Sequence, residues 1–252
     1  MDKDLRVLLE PDSELMSVFK EKAPGTYRHC EAVANLVDAV CAALDSVDRS
    51  IVYPAARLHD IGKTVNPGAF CENQGDTNIH DKLDPFVSYQ LISRHVSDSV
   101  LLLLQYDIIP RSVIEVVGQH HGNTVIKSIC SKDSSNNPDD FRYPSSPPST
   151  IEACVLMVCD VAEAGMRSFF TKGSITEKKS ISDLLNRLIE EGLVKDKQLD
   201  TLRIGDLRII KEALIDEFTN LYHKRVDYDD DTPSSGKEVL QSIKEVSSGS
   251  KS

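Results

Sequence analysis

Apolar residues recur along this chain mostly at spacings of three and four, the period of a helix buried along one face. In residues 31–45, Val33, Leu36, Val37, Val40 and Leu44 fall on one stripe. A second helix is predicted from about Asp84, with Pro85 in its first turn, through Leu91, Ile92 and Leu102 to about Tyr106. Proline is tolerated there because first-turn amides have no intrahelical partner to lose. Pro110 should open a shorter helix through Val113, Ile114 and Val117, stopped by Gly122. Ser149 or Thr150 caps a strongly apolar stretch, IEACVLMVCDVAEAGMRSFF. Two more helices are predicted near ISDLLNRLIEEGL and GDLRIIKEALIDEFTNLYH. The segment IVYPAARL also forms helix, and the Gly62 that follows it is expected to stop it in the left-handed conformation. No strand pattern of useful length occurs. The pattern predicts an all-α bundle with loops at one end.

The helices define the organisation. Residues 1–24 read as a lead-in helix and linker, 25–225 as the bundle, and 226–252 as an acidic, Ser-rich tail expected to be disordered. Two irregular segments, 64–83 and 131–149, interrupt the bundle.

Composition narrows the function. With 252 residues, 40% hydrophobic and 27% charged, this is an ordinary globular chain, long enough for a sizeable core. A formal charge of −11 excludes a nucleic-acid polymer as partner, since phosphate backbones need a basic surface. A small anionic ligand stays open, provided that metal ions or a few cationic side chains supply local positive charge. The six cysteines are scattered without a CxxC, the usage of a reduced, cytosolic protein. The longest apolar run, VLLLLQYDII, is too short to span a bilayer, so this chain is expected to be soluble and cytoplasmic.

The chemistry lies in polar residues placed on apolar stripes. His29 stands four residues before Val33, His95 one turn beyond Leu91 and Ile92, and His120 and His121 continue the stripe of Val113, Ile114 and Val117. Asp160 is embedded in one of the most apolar helices, and His59-Asp60 ends another. A single inward histidine is more often bonded to a backbone carbonyl than to a metal, and a single buried aspartate is usually half of an ion pair. Five histidines and two aspartates together are harder to explain that way. Neutral imidazoles and carboxylates are the donors of Mn, Fe, Zn and Co sites. His80, in the polar stretch NIHDKL, reads as a surface or supporting residue.

His29, the dyad within HDIGK, His95, the pair His120-His121 and Asp160 resemble the HD-domain metal phosphohydrolases. The nearer resemblance is to the cytoplasmic domain of the seven-transmembrane HD family, whose members hydrolyse cyclic di-AMP. It rests on EKAPGTYRHCEAVANL, ARLHDIGKTVNPGAFCENQ, NIHDKLDPFVS, QHHGNT, FRYPSSPPSTIEA and KQLDTLRIGDLRIIKEAL, in the family's order over residues 5–225. Where the family usually has proline, this chain has Ile79.

The resemblance implies an HD-domain bundle with a dimetal site in its core and the two irregular segments over a cleft. One metal would take His29, His59, Asp60 and Asp160, and the other Asp60, His95, His120 and His121. The two divalent ions would be manganese or iron. A metal-bridging hydroxide would open cyclic di-AMP to linear pApA, with Asp60 central and Lys63 stabilising phosphoryl charge. Arg142 and Tyr143 are candidate contacts to a phosphate or an adenine. The partner implied is thus a cyclic dinucleotide substrate. The resemblance also implies that this chain is the cytoplasmic portion of a bacterial membrane protein, expected to meet the membrane only through segments it does not contain. Two alternatives stand beside this reading. One is an HD hydrolase of another nucleotide phosphate ester; the other is a non-catalytic domain that binds cyclic dinucleotides for signalling. The Gly-Tyr-Pro signature of cyclic di-GMP hydrolases is absent from the sequence.

Overall fold

The structure is a computed structural model that describes residues 2–75, 77–133, 135–171 and 178–230. The described helices are α1 (Lys3–Leu8), α2 (Glu14–Lys22), α3 (Pro24–Ala43), α4 (Arg49–Leu58), α5 (Pro85–Leu103), α6 (Arg111–Gln119), α7 (Lys127–Cys130), α8 (Ile151–Thr171), α9 (Lys178–Asn186) and α10 (Ile204–Asp230). Among the described residues the sole extended pairing is an isolated antiparallel bridge between Val125 and Arg142. The all-helical expectation holds.

Local chemistry sets most boundaries. Ser13, Asp48, Asp84 and Thr150 each accept a hydrogen bond from a first-turn amide of α2, α4, α5 and α8 respectively, which satisfies donors the helix leaves orphaned. Of the two candidate caps, Thr150 serves; Ser149 instead bonds the Gln119 side chain. In α8 every residue from Ala153 to Cys159 is fully buried. A helix apolar on all sides must be surrounded, and α3, α4, α6, α9 and α10 all touch it. The bundle is built around α8.

Three expectations change. The lead-in does not stand apart: Leu5, Leu9, Met16 and Phe19 are buried in the common core, each contributing on the order of 2 kcal/mol by burial. The Arg57 side chain of α4 donates to the Leu9 carbonyl. At the other end α10 continues to Asp230, past the expected start of the tail; residues 231–252 lie outside the described residues. Gly62 is not a left-handed stop. It lies in a 3₁₀ turn, Ile61–Val65, and is needed because a Cβ there would overlap the His95 carbonyl and the Ser99 amide. Among the described residues the left-handed glycine is Gly122, with φ of 51°.

A candidate metal centre

Five elements aim polar side chains at one point. His29 comes from the second turn of α3, His59 and Asp60 from the end of α4, His95 from α5, His120 and His121 from the end of α6, and Asp160 from the middle of α8. All but His121 are buried. Their donor atoms fall into two groups that can each hold a metal ion: Asp60, His95, His120 and His121 on one side, and His29, His59 and Asp160 on the other.

Local geometry fixes which nitrogen of each ring is free. His59 Nδ1 donates to the Ala56 carbonyl at 2.9 Å, His95 Nδ1 to Ile92 at 2.6 Å and His120 Nδ1 to Val117 at 2.6 Å, each three residues back. A neutral imidazole carries one proton, so each Nε2 is left as an acceptor. Those acceptors converge. His95 Nε2 and His120 Nε2 are 3.3 Å apart, two lone pairs facing each other with no proton to share. His59 Nε2 and Asp60 Oδ1 are buried with no hydrogen-bond partner. Buried acceptors without donors are costly, and a divalent cation is the partner such a donor set fits.

Asp60 stands between the groups. Its Oδ1 is 3.1 Å from His95 Nε2 and 3.6 Å from His120 Nε2. Its Oδ2 is 3.4 Å from His59 Nε2 and 3.7 Å from His29 Nε2. Asp160 reaches across as well, with Oδ1 at 2.9 Å from His29 Nε2 and Oδ2 at 3.5 Å from His121 Nδ1.

Charge follows geometry. Burial pushes the Asp60 carboxyl up, but the Lys63 ammonium, joined by His59 where that ring holds a proton in place of an ion, outweighs it and holds the group well below the usual carboxylate range. Burial likewise pulls His29 down, yet its bonds to Asp160 and Glu163 raise it to about 9. For His120 and His121 burial dominates and lowers both.

Lys63 is half-buried and donates to Asp60 Oδ2 at 2.7 Å and Glu72 Oε1 at 2.9 Å. Its ammonium also lies over the Phe70 ring, 4.8 Å from the centroid. Each irregular segment sends one aromatic ring against a histidine of the Asp60–His95 group. Phe70 meets His95 edge-on at 5.5 Å, and Tyr143 stacks on His121 at 4.3 Å. A cavity of about 280 Å³ opens beside the Phe70–His95 contact, lined also by Leu91 and Arg94.

Arg142 lies differently from the expectation of a phosphate contact. Its guanidinium is committed to Asp139, Asp196 and the Asn123 carbonyl, so it braces the segment. His80 is buried, and its Nε2 donates to the Ala69 carbonyl at 2.8 Å.

The sequence reading missed two carboxylates. Glu163, one turn beyond Asp160 on α8, meets His29 Nδ1 at 2.5 Å. A second acid at that spacing in so apolar a helix was the signal. Glu72 joins Lys63 to the Thr26 hydroxyl, and nothing in the irregular segment marked it. Glu163→Ala is expected to weaken divalent-metal affinity about 10–100-fold by freeing the His29 ring, while Glu163→Gln, which keeps an acceptor, should restore most of it. Calorimetric titration of chelated protein with Mn²⁺ measures both.

The sequence profile of the HD domain family matches residues 26–165. The cyclic-di-AMP phosphodiesterase PgpH of Listeria monocytogenes is 35% identical over 237 residues, spanning 89% of this chain and 31% of that protein. PgpH of Bacillus subtilis is 30% identical over 230 residues, spanning 89% and 32%. The chain thus spans about a third of the length of these relatives. The crystal structure of the L. monocytogenes PgpH HD domain superposes with a TM-score of 0.76 at 31% identity, over 83% of this chain and 99% of that one. The same domain in complex with cyclic-di-AMP superposes equally well, over 83% and 97%.

Proposed function

This chain belongs to the HD-domain family, and on that premise we propose that it is a metal-dependent phosphodiesterase that opens cyclic di-AMP to linear pApA. An HD domain with this histidine and aspartate cluster is a divalent-metal domain. The finer reading is two ions, manganese or iron. His29, His59 and Asp160 would hold one ion, His95, His120 and His121 the other, and Asp60 would serve both.

The observation that carries this is the division of Asp60, one oxygen toward each group, beside imidazole acceptors that face one another without a proton. Ions held there supply Lewis-acid polarisation of a phosphoryl oxygen and activation of water. The chain's own residues do the rest. Lys63 places a cation against Asp60 and next to the phosphoryl position, where it offsets charge that grows during displacement. Glu72 holds that ammonium in place. Phe70 and Tyr143 narrow the approach and exclude water from the histidine face. The Tyr143 ring also offers a surface for a base. Two pieces of support bear on the substrate: the relatives named for cyclic di-AMP and a solved HD domain that holds it.

The test is direct. Protein loaded with Mn²⁺ is incubated with cyclic di-AMP and with cyclic di-GMP, and the products are separated by chromatography. Production of pApA, at a rate well above that of any cyclic di-GMP product, is the expected result. No turnover of either dinucleotide by metal-replete protein overturns the reading.

A further inference from the structure

We infer that Gln198 is a positioning residue for His121, acting through the turn that follows the histidine pair. The inference rests on the metal-binding reading above and extends it to a residue far from the cluster in sequence.

The reason begins with His121 itself. His59, His95 and His120 are each aimed by a carbonyl three residues back, and His29 is aimed by Glu163. The His121 ring has no such anchor among the described residues. It meets Asp160 at 3.5 Å and lies against the Tyr143 ring. Its direction must therefore come from the backbone of the turn His121–Thr124 and from the strand-like stretch carrying Tyr143.

Both converge on Gln198. This side chain is 1% exposed, although it follows directly on an exposed turn. Its Oε1 accepts from the Asn123 amide at 3.3 Å, and its Nε2 donates to Asn123 Oδ1 at 2.6 Å and to the Asp196 carbonyl at 3.0 Å. The Asn123 carbonyl is taken by Arg142 at 2.8 Å, and the same guanidinium pairs with Asp196. Asn123 is thus held at its amide, its carbonyl and its side chain, two residues beyond His121.

The chain bends sharply to make this possible. Lys197 adopts φ of 57°, a left-handed conformation uncommon for a residue with a side chain, immediately before Gln198. Gly122 takes φ of 51°, and a Cβ there would collide with Gln198 Oε1. Two left-handed residues face each other across this contact. QHHGNT, FRYP and KQLD, three of the stretches that single out this sequence, therefore meet in one buried network whose output is the direction of one histidine.

The experiment reads each histidine separately, without activity. Metal-free protein labelled with ¹⁵N is titrated with Zn²⁺, and imidazole resonances are followed in wild type, Gln198→Met and Gln198→Asn. Thr201→Val serves as control, because Thr201 joins the same segment to the Pro148 carbonyl without touching the turn. Thermal unfolding establishes that each variant is folded. In Gln198→Met the midpoint for His121 should move to about 10–100-fold higher Zn²⁺, while those for His29 and His59 stay within about threefold of wild type. Gln198→Asn, a shorter amide, should fall between, and Thr201→Val should match wild type. Equal weakening at all histidines, or none at His121, in folded Gln198 variants overturns the inference. A wild-type protein whose histidines ignore Zn²⁺ overturns instead the metal reading beneath it.

Discussion

Asp60→Ala should cost metal-dependent hydrolysis of cyclic di-AMP about three orders of magnitude or more, measured as the initial rate of pApA formation in saturating Mn²⁺. The carboxylate gives one oxygen to each donor group, so in the two-ion reading proposed above its loss removes a ligand from both at once. Metal stabilisation of a phosphoryl transition state is worth several kcal/mol, and each 1.36 kcal/mol is tenfold in rate. A second effect adds to the first. Lys63 loses its 2.7 Å partner and keeps Glu72 alone, leaving a half-buried cation only partly compensated. Asp60→Asn retains the shape and one acceptor oxygen, and should be less damaging to stability than to rate. A folded Asp60→Ala protein that retains activity within tenfold of wild type would rule out the shared-ligand role.

Chelation has the next largest effect, on stability as well as rate. Removing ions leaves the acceptors of His95 and His120 face to face and leaves Asp160 to be balanced by a proton on His29. At a free metal concentration of about 100 times Kd, binding contributes about 2.7 kcal/mol, or roughly 5–10 °C in Tm for a chain of this size. The chelated protein should also depend on pH in a defined way. His29 is raised to about 9 in the fold. Its contribution is therefore complete below the ordinary histidine value of about 6.5 and is lost as pH climbs through 9. His120 and His121 are lowered; their contribution is complete above about 6.5 and is lost as pH falls. Chelated protein should consequently be most stable near pH 6.5. Bound ions replace the His29 proton, so the Tm gain on loading should grow between pH 6.5 and 9. A gain that shrinks over that range would contradict the assignment of His29 as a ligand.

The sequence displayed the histidines because helical periodicity makes an inward polar residue conspicuous, as His29 is four residues before Val33 and His95 one turn after Ile92. It displayed the starts of α5 and α8 because Asp84 and Thr150 cap locally. What it hid depends on chain paths that periodicity does not carry. Gly62 looked like a helix stop, yet the requirement comes from α5 pressing its backbone against it. Arg142 looked like a free cation in a polar loop, and is instead bound to Asp196, 54 residues away. Glu72 and Gln198 work through partners 46 and 75 residues distant, with no local pattern to announce either. Glu163 was readable, since a second acid three positions after Asp160 is out of place in α8. The lead-in reads as a helix and linker, and its local pattern does not say that Leu5, Met16 and Phe19 pack almost wholly buried into the common core.

The three imidazoles anchored to carbonyls three residues back divide the construction of the centre into two tasks with different tolerances. Orientation and proton placement are settled inside a single turn of backbone, and travel with that turn wherever it goes. Spacing between rings is settled by how the turns are stacked against α8. A conservative core substitution such as Val155→Ala would therefore alter distances while leaving the Nε2 atoms of these three rings facing inward. Damage of that kind should be graded, a gradual loosening of grip on the ions. The His121 direction, which no single turn secures, is where the same centre would fail abruptly.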